Sequence, residues 1–233
     1  MALINRDSKL SEIIIHEPST ITVLDRFGIA LGVGDVKVGE VCIANDIDVD
    51  FFTTILNTYI NENYFPQEAL VSFRASKIID YLNKTNDYYT QNVLPNIERH
   101  FALLIGRTTS QNNNLVLMKQ FFDEMKNELL QRIDDDRNRW FPEICRYEKL
   151  AKVYDSTLLK VAPQNIEDPI EDKIDDLINM LVVHLKGNYD HNLGYAVIVA
   201  VFSLKKDIKQ NNRIRNRILR PISQALINST HDE

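Results

Sequence analysis

The stretch MKQFFDEMKNELLQRIDDDRNRWFPEI, residues 118–144, sets apolar side chains at Met118, Phe122, Met125 and Leu129. Steps of four, three and four draw one stripe along an amphipathic helix. The same rhythm then places Arg132, Asp136 and Trp140 on the inward face. An unpaired charge inside a protein costs several kcal/mol, so Arg132 and Asp136 must meet partners, remain wet or bind something.

Working outward, three further stripes share this period. One runs through Ile79, Leu82, Asn86, Tyr89, Val93, Ile97, His100 and Leu104, with Pro95 expected to kink or break it. Another passes Ile170, Ile174, Leu177, Leu181 and His184 and ends near Gly187. The last passes Val197, Val201, Leu204, Ile208, Asn211, Arg215 and Ile218 and is expected to stop at Pro221, as the 118–140 stripe is at Pro142. Four long stripes predict a four-helix bundle. RTTSQNNNL reads as a polar loop, and YEKLAKVYDSTLLKVAPQNIEDP as a long crossover.

Ahead of the stripes the pattern shortens. SKLSEIII, STITVLDRF with Ser19 as candidate N-cap, KVGEVCIAN and DVDFFTTILNTYINE read as short helices, with Gly28 as a C-cap. Only seven glycines occur in 233 residues, sparse punctuation for a strand-rich protein. The expectation is an all-α chain: a small helical N-terminal domain over 1–65, then a four-helix bundle over 66–233.

The second and fourth stripes share a polar spacing. The pairs Arg132/Asp136 and Asn211/Arg215 each lie four residues apart, on one helix face. Carboxylates and histidines spaced this way on facing bundle helices build di-metal sites. EPSTITVLDRFGIALGVGDVKVGEVC, RIDDDRNRWFPEI and NNRIRNRILRP resemble segments of the hemerythrin-like, repair-of-iron-centres family, which joins a ScdA-type N-terminal domain to a bundle holding a di-iron site. The resemblance covers nearly the whole chain and rests on the FGI, FP and ILRP elements. It implies a fold, and it implies that the chemistry has been removed. Gly32 and Val33 stand where the family's N-terminal Cys pair would fall. Asn86, Arg132 and Asn211 stand at positions of ligand His, and Asp136 and Arg215 at positions of ligand Glu; Leu177 is the third-helix candidate.

Of these, Asp136 alone is a ligand-type residue, since arginine stays protonated and offers no lone pair. No metal and no cofactor are therefore expected. Asn86, Arg132, Asp136, Asn211 and Arg215 are expected to form a hydrogen-bonded ionic cluster in the volume a metal pair fills in relatives. Two alternatives stand beside it: stripes rotated so that these groups are solvated, or a rearranged iron site using His100 or His184 with Asp136 and Glu98 or Asp176.

Composition bounds the function. A net charge of −6 argues against a protein devoted to nucleic acid, although KKDIKQNNRIRNRILRP could present a phosphate-binding face. No apolar run approaches the ~20 residues of a membrane span, and the first residues lack a signal-peptide core, so a cytoplasmic protein is expected. Cys42 and Cys145 have neither disulfide-framework nor metal spacing. No catalytic arrangement is legible. The resemblance implies a non-enzymatic, stress-related regulatory or interaction protein with an unidentified protein partner, or alternatively a di-iron protein of iron-sulfur cluster repair or O2/NO sensing. Family members can pair, so a homodimer is compatible with it.

Overall fold

The computed structural model describes residues 3–66, 69, 72–108, 113–150 and 168–231. These residues are mostly helical; their only β-type pairing is an isolated bridge between Lys9 and Lys37. No helix is long and apolar enough to cross a membrane.

Four short helices open the chain: α1 (Leu10–His16), α2 (Ile21–Arg26), α3 (Val38–Ala44) and α4 (Val49–Ile60). Each begins or ends for a local reason. The Asp48 carboxylate accepts from the Phe51 N–H at 3.0 Å and caps α4. Gly28, at φ +71°, lets the chain turn after α2 in the left-handed region, as expected of a C-cap glycine. Ser19 does not cap α2; it lies within a 3₁₀ turn, Pro18–Thr20, whose Thr20 hydroxyl donates to the Glu17 carbonyl. Proline ahead of the helix favours that tighter entry. Asn57 of α4 clamps the chain start, accepting from the Ile4 N–H and donating to the Ile4 carbonyl, both at 2.8 Å.

Four long rods follow. The first is α5 (Ala75–Tyr88) and α6 (Leu94–Arg107); the second α7 (Asn113–Asp135) and α8 (Phe141–Leu150). The third is α9 (Pro169–Asn179), and the fourth α10 (His191–Ile214) and α11 (Arg220–His231). In space each rod touches the next, first to second to third to fourth and back to the first. Residues 109–112 of the expected polar loop and 151–167 of the expected crossover lie outside the described residues.

The prolines do not end these helices, contrary to the sequence expectation. Pro95, Pro142 and Pro221 each follow a π turn by one residue: Tyr89–Val93, Asp136–Trp140 and Arg215–Leu219. A proline inside an α-helix lacks an N–H and clashes with the carbonyl four residues back, at about 3 kcal/mol. Here the residue before each proline reaches five back instead: Leu94 to Tyr89, Phe141 to Asp136, Arg220 to Arg215. The wider turn moves the obstructing carbonyl aside and the rod runs on. A fourth π turn, Met180–His184, closes the third rod without a proline.

Two apolar cores result. One, around Leu94, Phe101, Phe122, Ile174 and Val201, fills the space between the four rods. The other joins the short helices, through Leu24, Phe52 and Ile55, to Ile78 and Leu82 of α5, Phe141 of α8, and Ile218 and Ile222 of the fourth rod. The N-terminal helices therefore share a core with one end of the rods. Between the two cores lies a polar layer.

Candidate functional site

Reading six residues back from each proline gives Tyr89, Asp136 and Arg215, the first residues of three π turns. All three are buried, and two are joined directly. Arg215 grips Asp136 with both ends of its fork: Nε donates to Oδ2 at 2.7 Å and Nη2 to Oδ1 at 2.5 Å. Its third nitrogen donates to Asn216 Oδ1 at 2.9 Å, and its plane lies 4.7 Å from the Trp140 ring. The side chains are 11% and 6% exposed, so the solvated alternative does not describe this pair. Two parallel charge-assisted bonds inside a protein are the strongest form of this contact.

Arg132 does not bond to Asp136, against the expectation of one shared cluster. It donates to Asp168 Oδ2 at 2.8 Å. The other Asp168 oxygen accepts from the Ile170 N–H and caps α9, so one carboxylate starts the third rod and neutralises a charge on the second. Burial pulls the Arg132 guanidinium below its ordinary value, Arg215 adds to that, and Asp168 and Asp136 oppose it. Asn86 and Asn211 are buried, each 4% exposed. The Asn211 Oδ1 atom has no hydrogen-bond partner among the described residues. Among the described residues neither asparagine bonds to the Asp136–Arg215 pair; each of Arg215's three nitrogens donates instead to Asp136 or Asn216. Leu177 is core.

A cleft of 460 Å³ opens onto this constellation, lined by Arg132, Asp136, Trp140, Arg215 and Arg220 among others. Arg220 lies over Trp140 at 5.5 Å and forms no ion pair among the described residues. Its guanidinium is lowered by burial and by Arg215.

The donor set does not fit a di-iron centre. Both Asp136 oxygens are occupied by Arg215, and no group of three or more His, Cys, Asp or Glu side chains converges among the described residues. The parts of a rearranged site lie apart in their contacts: Glu98 pairs with Lys126, His184 and Asp176 are exposed, and His100 lines a groove elsewhere. Cys42 is fully buried, and burial, helped by Asp48, pushes its thiol up to about 11; Cys145 is raised by burial as well. Both thiols stay protonated near neutral pH, which suits structural cysteines.

A second buried ion pair escaped the sequence reading. Arg26, at the end of α2, pairs with Asp207 of α10, with side chains 1% and 6% exposed. Arg26 also donates to Tyr81 Oη at 3.1 Å and lies within 5.9 Å of four tyrosine rings: Tyr59, Tyr81, Tyr88 and Tyr89. Burial alone would lower its guanidinium; Asp207, Tyr81 and Tyr89 overcome that and hold it well above its ordinary value. These four rings therefore enclose a side chain of the protein itself.

The basic run of the fourth rod is dispersed rather than aligned. Lys205 pairs with Asp175, Lys206 reaches Ser19, and Lys209 pairs with Glu62. Arg213 is buried against the Thr58 and Tyr64 carbonyls.

No protein-family model, no curated protein and no solved structure matches this chain.

Proposed function

We propose that this chain is a hemerythrin-like four-helix bundle, 66–233, behind a small ScdA-like helical domain, 1–65, in which guanidinium–carboxylate pairs replace the metal centre. In this reading it is a non-enzymatic cytoplasmic protein that acts through protein contacts, in a stress-related regulatory or interaction role. The observation that carries it is the bidentate Arg215–Asp136 pair, at the level of the π turns and between two apolar cores. π turns recur at functional sites, and among the described residues three of the four begin with a buried Tyr, Asp or Arg. A permanently protonated arginine holding both oxygens of the one ligand-type residue neutralises that carboxylate and sets a fixed positive charge against any cation beside it.

The test is metal content. Protein purified from iron-replete cells is expected to hold well under one equivalent of iron and to lack the near-ultraviolet absorption of an oxo-bridged pair. Stoichiometric iron that disappears in Asp136→Ala would overturn the reading in favour of a di-iron repair or sensing protein.

A further inference from the structure

Two buried polar atoms with no hydrogen-bond partner among the described residues belong to side chains of one groove. It holds 830 Å³ between the first rod and α10, and Asp207 and His100 both line it. Asp207 is 4% exposed; its Oδ2 takes the Arg26 guanidinium, whereas Oδ1 is unbonded, as is His100 Nδ1. Buried polar atoms are nearly always bonded, so two orphans on one groove point to a molecule that supplies their partners. The first rod and α10 run antiparallel: Arg107 at the end of α6 meets Asp190 beside the start of α10 at 3.6 Å, and Arg26 joins Tyr88 to Asp207 at the other end. His100 therefore stands nearly level with Ala196, and Asp207 lies eleven residues farther along α10, about 16 Å at the helical rise. Between these ends the walls are largely apolar, with Val93 and Ile97 on one side and Ala196, Ala200 and Leu204 on the other.

We propose that this groove binds an elongated hydroxy acid, with its hydroxyl at Asp207, its apolar body along the two helices and its carboxylate at His100 and Arg99. The Asp207 end selects the hydroxyl. Oδ1 of a carboxylate only accepts, so the ligand must bring a donor. Arg26 already neutralises that carboxylate through Oδ2, so an ammonium would meet a guanidinium with no net negative charge to attract it. A neutral donor fits. The other end selects an anion. Arg99 is exposed, hydrogen-bonds Asn96 Oδ1 at 2.7 Å and has no carboxylate partner among the described residues. The His100 ring can donate from Nδ1 to the same anion, and a carboxylate has oxygens for both. The volume falls in the range of small-molecule sites, and the short side chains of Ala196 and Ala200 leave the middle of the groove open to a chain. The groove shares no lining residue with the Asp136–Arg215 cleft, so the proposal is independent of the fate of the metal centre.

Isothermal titration of the full chain with 10-hydroxydecanoate, which in extended form leaves hydrogen-bond distance at each end of the groove, tests this. The expected result is a single site with a dissociation constant on the order of 100 µM. Decanoate, which lacks the hydroxyl, and 1,10-decanediol, which lacks the carboxylate, should each bind at least about 5-fold more weakly. Arg99→Gln should cost about 5-fold for the hydroxy acid and nothing for the diol. Ala200→Phe, which fills the groove, should weaken the hydroxy acid at least about 10-fold while circular dichroism shows the helices intact. The absence of saturable binding up to about 3 mM overturns the proposal. So does equal affinity for the hydroxy acid and decanoate, which would mark unspecific apolar binding, or binding untouched by Ala200→Phe, which would put the site elsewhere.

Discussion

Arg26 and Asp207, 181 positions apart, form an almost water-free ion pair that ties the N-terminal helices to the middle of the fourth rod. Removing one partner strands the other charge in a ring of tyrosines. Asp207→Ala is expected to destabilise the protein by about 3 to 5 kcal/mol, lowering the melting temperature by on the order of 10 °C. The double substitution Arg26→Met, Asp207→Leu should recover much of that loss, because no buried charge is left alone. Chemical denaturation of the two variants measures it, and a loss under about 0.5 kcal/mol for Asp207→Ala would mean the pair is solvated.

The two arginines of the second ion-pair system should not be equivalent. Asp136→Ala leaves Arg215 with one polar partner, Asn216, and should cost about 3 to 5 kcal/mol. Arg132→Ala removes a more exposed side chain whose partner keeps its helix-capping bond to the Ile170 N–H, so a cost of about 1 to 2 kcal/mol is expected. Equal losses, or the reverse order, would contradict the assignment of Arg215 as Asp136's partner.

Asp48 links pH to stability. Its carboxyl lies below the ordinary carboxylate value, chiefly because the Lys77 ammonium hydrogen-bonds to it at 2.6 Å, with help from the Phe51 N–H and against a smaller effect of burial. A depressed folded-state value means the contribution is fully present above the ordinary carboxylate value and disappears as pH falls through the lower one. Asp48→Ala should therefore cost about 1 kcal/mol at neutral pH and progressively less in acid. Denaturation midpoints of both proteins across pH 7 to about 2 would show the gap closing; a gap that widens in acid would have the wrong sign.

Much of this architecture is legible in the residues, and the gaps have definite causes. Stripes of period 3.6 locate the rods because burial of one face is what stabilises a helix in a protein. The same count finds Asp136 and Arg215, which occupy stripe positions, but not Asp207. That residue sits one place before Ile208, and a reading that follows the apolar member of a neighbouring pair passes over the charged one. Counting back from the prolines would have improved the first rod. Ten and six residues before Pro142 and Pro221 fall Arg132/Asp136 and Asn211/Arg215; before Pro95 fall Thr85 and Tyr89, so Asn86 is one residue out of step. Asp168 could also have been flagged, since Asp followed by Pro at the start of a periodic run is a helix-start signal. That its second oxygen answers Arg132, 36 positions away, is a tertiary fact that no local pattern contains.

Each widened turn inserts one residue into the rhythm of its rod. On the second rod the buried series steps from Asp136 to Phe141 and then to Ile144, a stride of five before the stride of three returns. Deleting a single residue between Asp136 and Pro142 would take the extra residue out again: Phe141 would fall four residues after Asp136 and Ile144 seven, still on the inward face of an ordinary α-helix. The proline, however, would then meet the carbonyl four residues back, at about 3 kcal/mol. Insertion and proline thus belong together, the extra residue making room for the ring while the rod keeps its buried side.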